Sequence, residues 1–143
     1  MKSRPRILIA EDNVALNGIL RFNLTQAGFE VTSARDGREA ADFALQDSFD
    51  FIVSDQQMPR MTGVELCREV RSTKNAAVPF VLLTAKAFEV DVQWLQSELQ
   101  VVAVIQKPFS PRAIVDVINR CLLTAQENRV QPDSGAGLPD RKS

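Results

Sequence analysis

A doubly wound α/β fold, with a parallel sheet covered by helices on both faces, is the class this sequence predicts, and three observations predict it. First, five short runs of strand type recur along the chain; four, rich in Val, Ile, Leu and Phe, are apolar almost throughout, and the one over 29–34 alternates. Strands buried on both faces read this way, without the alternation of a half-exposed strand. Second, a stripe of helical spacing follows each run, and strands alternating with helices build a parallel sheet. Third, the runs end on residues that carry chemistry: Glu11-Asp12, Asp55, Thr84 and Lys107. Crossovers between parallel strands are right-handed, so all these endings fall along one edge of the sheet.

The elements follow in order. Arg6 to Ala10 is the first strand, stopped by Glu11-Asp12-Asn13. Asn13 or Asp12 can cap the first helix, whose stripe is Leu16, Leu20 and Leu24 with Ile19 and Ala27 beside it. Gly28 stands just past it, where a helix end favours left-handed backbone. A second strand over 29–34 ends at Asp36-Gly37, and a second helix over 39–46 is apolar through Ala40, Ala41, Phe43, Ala44 and Leu45. Phe51 to Asp55 is the third strand, and Pro59 four residues later forbids its simple continuation. Met61-Thr62-Gly63 turns into a third helix faced by Val64, Cys67 and Val70. A fourth strand over 78–83 enters through Pro79, tolerable at a strand start. A fourth helix covers 89–99, and a fifth strand over 101–105 stops at Lys107-Pro108. Ser110 caps a fifth helix with Pro111 in its first position, and Ile114, Val117, Ile118 and Cys121 form its stripe. After 125 the composition turns to Pro, Gly and polar residues without periodicity, which predicts a disordered tail over 126–143. One domain over 1–125 accounts for the rest.

Composition narrows the functional classes. The chain of 143 residues is 45% hydrophobic and 24% charged, ordinary for a globular protein. A net charge of −1 leaves no basic footprint for nucleic acid. No apolar run reaches the roughly 18–20 residues of a membrane span, and the stretch after Lys2, Arg4 and Arg6 is too short for a signal-peptide core. These features predict a cytoplasmic protein that binds neither nucleic acid nor membrane. Histidine is absent, which removes histidine metal sites, histidine general bases and a phosphohistidine within this chain. Cys67 and Cys121 read most simply as small core residues.

Three carboxylates gathered at one sheet edge repel one another, by about 4 kcal/mol for a pair roughly 4 Å apart at an effective dielectric near 20. Such a cluster calls for a cation. All-oxygen ligands without imidazole or thiolate favour Mg²⁺ or Mn²⁺. Taken singly, each residue has a plainer role: Asp12 a helix cap, Asp55 an Asx-turn, Thr84 a turn hydroxyl, Lys107 a surface lysine. Their joint placement at the ends of strands one, three, four and five favours a site.

The chain at this point resembles the receiver domains of two-component response regulators. The matching pieces are Glu11-Asp12, Asp55, the run Met58-Pro59-Arg60-Met61-Thr62-Gly63, Thr84-Ala85 and Lys107-Pro108-Phe109, in order and in the same strand contexts over about 5–123. The resemblance implies a flavodoxin-like (βα)5 sheet of strand order 2-1-3-4-5. It implies that Asp55 accepts a phosphoryl group from a sensor histidine kinase or a histidine phosphotransfer protein. Glu11, Asp12, Asp55 and the Gln57 carbonyl would hold Mg²⁺, Glu11 through a metal-bound water. Thr84, Ala85 and Lys107 would bind the phosphoryl group and switch with it. The protein would then be no enzyme in the ordinary sense, catalysing only its own phosphotransfer and dephosphorylation. It would present a changed surface, built from helix four, strand five and helix five, to a downstream protein. The chain reads as a receiver standing alone.

Two departures from the family pattern are visible. Val104 occupies the position where members usually carry Tyr or Phe, so the aromatic arm of the switch is altered. Glu98-Leu99-Gln100-Val101 replaces the customary Gly-Ala before strand five. Two rival readings compete with the first. A haloacid-dehalogenase-like phosphatase also uses a strand-end Asp, Mg²⁺, Thr and Lys, but needs a second Asp where Gln57 stands. A degenerate receiver serving as a scaffold would not need the intact acidic pair.

Overall fold

Parallel pairing of five strands in the order β2-β1-β3-β4-β5 sets the architecture. The computed structural model describes the backbone of residues 3–135 and the side chains of 3–124. The strands are β1 (Arg6–Ala10), β2 (Glu30–Ala34), β3 (Phe51–Asp55), β4 (Phe80–Thr84) and β5 (Val101–Gln106). The helices are α1 (Val14–Gln26), α2 (Gly37–Gln46), α3 (Gly63–Val70), α4 (Val92–Leu99) and α5 (Pro111–Gly135), with a short 3-10 turn at Ala87–Glu89. The flavodoxin-like order expected from the resemblance is the one observed.

The unbroken apolar strands have their physical reason in two cores, one on each face. Along β1, Ile7 and Ile9 join Leu20 and Leu24 of α1 and Ile114 and Ile118 of α5. Leu8 and Ala10 point the other way, toward Ala40, Leu66, Cys67 and Leu95 of α2, α3 and α4. Successive side chains alternate faces, and here both faces are dry. The stripes are narrower than the sequence suggested. Ile19 is about half exposed, at 47%, and Leu45 more so, at 60%, while Asn17 and Ala44 occupy the inward positions.

Local capping chemistry explains the boundaries. The Asn13 and Asp36 side chains accept from the third residue of α1 and α2, and Thr62 and Glu65 form a reciprocal capping box on α3. Gly28 has φ +100°, as its place after α1 required. Helix α4 starts later than expected: the 3-10 turn intervenes and Asp91 caps the helix at Trp94 N–H. Cys67 is buried and Cys121 half-buried, and both are free thiols. The backbone of α5 stays helical to Gly135, past the boundary expected at 125, and the expected tail beyond it lies outside the described residues.

The missing Gly-Ala before β5 is handled by two residues. Gln100 takes the left-handed conformation itself, φ 53°, at the end of α4. Arg71 then donates to the Leu99, Gln100 and Val78 carbonyls at 2.8, 3.1 and 2.6 Å, holding the entry of β5 against β4.

Gly63 positions the end of β3. A Cβ there would stand 2.4 Å from the Asp55 carbonyl oxygen and 2.5 Å from Leu82 Cδ1. Backbone cannot yield as a side-chain tip can. Gly63→Ala should therefore lower stability by about 1–3 kcal/mol, read by denaturant unfolding, and an unchanged midpoint would mean that α3 can shift freely.

Candidate functional site

Four strand ends bring the predicted residues together. Glu11 follows β1, Asp55 closes β3, Thr84 closes β4, and Lys107 follows β5. Glu11, Asp55 and Thr84 are buried, at 1%, 3% and 0% exposure, while Asp12 faces solvent. One carboxylate oxygen from each of Glu11, Asp12 and Asp55 lies within 4.8 Å of the others. Lys107 reaches in from the far side, its Nζ 3.0 Å from Asp55 Oδ1 and 3.3 Å from Glu11 Oε1.

Hydrogen bonds hold Glu11, Asp55 and Thr84 in place. Asp55 Oδ1 also accepts from Gln56 N–H at 3.0 Å, and among the described residues Oδ2 accepts no hydrogen bond. Glu11 Oε2 accepts from Asn13 N–H at 3.0 Å, so both its oxygens are engaged. The Thr84 hydroxyl accepts from Lys86 N–H at 3.0 Å and donates to Gln57 Oε1 at 3.3 Å, a long and therefore weak bond. Val104 is half-buried against the core beneath α2, α3 and α4.

The electrostatics are unbalanced. Burial pushes the Glu11 carboxyl above its ordinary range, with the Asp55 charge adding to it, against Asn13 N–H and Lys107. Burial also raises Asp55, only partly offset by Lys107 and Gln56 N–H. Burial alone would depress Lys107, but the two carboxylates outweigh it and raise its pKa. With three carboxylates against one ammonium, the ionised cluster is two negative charges in excess. That charge, the oxygen-only donors and the clustering fit a divalent hard cation.

Two supporting residues escape a sequence reading. Asn17, buried in α1, donates to the Glu11 and Ala34 carbonyls at 2.9 and 3.1 Å and accepts from Ser33 Oγ. Its signal is a polar residue in register with Leu20 and Leu24 on the buried stripe. Gln106 accepts from Ala87 N–H and donates to the Ala85 carbonyl at 2.9 and 2.7 Å. A glutamine at a strand end carries no pattern that announces this role.

Comparison with known proteins gives a consistent picture. A family model described as the response regulator receiver domain matches residues 7–119. The chemotaxis protein CheY4 of Vibrio cholerae is 30% identical with a TM-score of 0.73, over 82% of this chain and 98% of that one. The receiver domain of a Pseudomonas aeruginosa PAO1 sensor histidine kinase, with magnesium ion coordinated in its active-site cleft, is 29% identical with a TM-score of 0.73, over 82% and 96%. A CheY-like receiver domain protein of Methanospirillum hungatei JF-1 shares the fold at a TM-score of 0.79 and 23% identity, over 88% and 99%.

The raised carboxyls give a signed expectation. Folded Glu11 and Asp55 bind protons more readily than when unfolded, so without metal their ionisation costs stability that is regained as pH falls toward the ordinary carboxylate range. Metal-free Asp55→Asn should melt higher than the parent at neutral pH, by on the order of 2–4 °C, with the gap closing on acidification. A lower melting temperature would show that the Lys107 pairing outweighs burial.

Proposed function

The chain belongs to the response regulator receiver domain family, and on that premise we propose that Asp55 is its phosphoacceptor, in a unit spanning residues 1–125. The observation that carries this is the buried Asp55 beside Glu11, Asp12 and Lys107 at the sheet's carboxyl edge. The family match over 7–119 and the packing of α5 through Leu122 support that extent.

The geometry suggests a division of labour. Asp55 Oδ2, free of hydrogen bonds among the described residues, is the oxygen suited to attack phosphorus. The new O–P bond forms as the P–N bond of a partner's phosphohistidine breaks, and its electron pair returns to the imidazole. Such transfers depend on positioning and charge stabilisation rather than on acid–base steps. Asp12, Asp55 and the Gln57 carbonyl are the direct ligands proposed for Mg²⁺. Glu11 would hold the ion through water, which suits its two engaged oxygens. A bound Mg²⁺ would neutralise the excess negative charge and share the load of the phosphoryl oxygens. Lys107 would exchange Asp55 Oδ1 for a phosphoryl oxygen, and Thr84, with Ala85 N–H beside it, would bind another.

The donor is a sensor histidine kinase or histidine phosphotransfer protein, the phosphohistidine source that the receiver-family match supports. The downstream face is α4, β5 and α5, where Val92, Trp94 and Val102 and the preceding Phe88 leave apolar surface in solvent. On that reading the protein catalyses only its own phosphotransfer and hydrolysis, and works inside the cell.

Two outcomes check this reading. Acetyl phosphate with Mg²⁺ should add one phosphate to the intact mass, and Asp55→Asn or excess chelator should abolish the gain. A phosphate retained on the Asn variant would move the acceptor elsewhere. Separately, Val104 has a single β-branched side chain with few rotamers and cannot swing as a ring does. Trp94 fluorescence should thus respond weakly to a phosphoryl mimic, and Val104→Tyr should enlarge that response severalfold. An equal response from the two proteins would exclude position 104 from the switch.

A further inference from the structure

The loop between β4 and α4 is tied down by two side chains at the paired ends of neighbouring strands. Thr84 and Gln106 face each other in the β4–β5 register. The Thr84 hydroxyl takes Lys86 N–H at 3.0 Å. The Gln106 carboxamide takes the groups on either side of that residue: it accepts from Ala87 N–H at 2.9 Å and donates to the Ala85 carbonyl at 2.7 Å. Its second proton is shared with the Lys107 carbonyl at 3.0 Å. Immediately beyond the clamp, the 3-10 turn Ala87–Glu89 holds Phe88 out in solvent, 83% exposed. Three successive loop residues are thus fixed by two side chains, one of which also lines the acidic site.

These bonds are not equal in strength. The Thr84 proton goes to a neutral amide oxygen 3.3 Å away. A phosphoryl group on Asp55 would offer charged oxygens, which make shorter and roughly twice stronger bonds. Thr84 would turn to them and pull on Lys86 N–H. Among the described residues the Gln106 carboxamide bonds only to backbone, of Ala85, Ala87 and Lys107, and to no group of the acidic cluster. Its grip on Ala85 and Ala87 therefore opposes the pull. Val104, with no polar atom in its side chain, contributes nothing to this balance.

We propose that Gln106 is a positioning residue that latches the β4–α4 loop in its unmodified arrangement, so that phosphorylation must release the Gln106 bonds before Thr84 and Phe88 rearrange. This rests on the reading of Asp55 as phosphoacceptor. The consequence is a loop whose two states are separated by a carboxamide clamp on β5, one residue before the lysine.

The test is a calorimetric titration of the full chain with beryllofluoride in saturating Mg²⁺, as the phosphoryl mimic, on the parent and on Gln106→Met. Methionine keeps the length of the side chain and loses its donor and acceptor. A latch that weakens the modified state predicts three- to tenfold tighter mimic binding by Gln106→Met, roughly the worth of one exposed hydrogen bond. The affinity for Mg²⁺ alone should stay the same, which a general loosening of the site would not leave intact. In the parent, exchange of the Ala87 amide should be slow and should accelerate when the mimic saturates the site. If the parent takes up no mimic, the Asp55 reading fails and the latch with it. If the parent binds it but Gln106→Met binds equally or more weakly, or Ala87 keeps its protection at saturation, the latch alone is overturned.

Discussion

Repulsion among carboxylates that the fold forces together is the constraint on which this molecule turns. Glu11 and Asp55 are buried because they end strands sealed on both faces, and Asp12 adds a third charge nearby. Lys107 offsets part of the excess and is raised in pKa for doing so. What remains is an excess of negative charge that a divalent cation or a neutralising partner would offset. The rest of the structure keeps those groups from escaping: Asn17 fixes the Glu11 backbone, Gly63 lets α3 press on the Asp55 carbonyl, and Arg71 anchors the strand that delivers Lys107.

Much of this was legible in the sequence because burial on both faces writes a distinctive script. Phe51-Ile52-Val53 has no polar alternation, and the structure sends Phe51 and Val53 to one core and Ile52 to the other. Asp55, Thr84 and Lys107 are readable as strand terminators from the sequence alone. Ser110 and Pro111 were likewise readable as a helix start, and Ala113 N–H does donate to Ser110 Oγ.

What was not legible depended on contacts between elements distant in sequence. The expected start of α4 near Glu89 overlooked Asp91, which competes as a cap and leaves a separate 3-10 turn before the helix. The absent Gly-Ala signalled a departure but not its remedy, since Arg71 lies 28 residues from the Leu99 carbonyl it holds. Gln106 looked like the polar close of an apolar strand. Its reach to a loop 19 and 21 residues away is a property of the β4–β5 pairing, not of its neighbours.

Gly63 and Asp55 answer to different pressures. The glycine is demanded by shape: no side chain fits between α3 and the end of β3. The aspartate is tolerated against the preference of the folded state, which burial tilts toward the uncharged form. A lineage drifting under selection for folding alone would hold on to the glycine and shed the aspartate. Among descendants of such a chain, a retained glycine records ancestry, and only a retained aspartate records continued use.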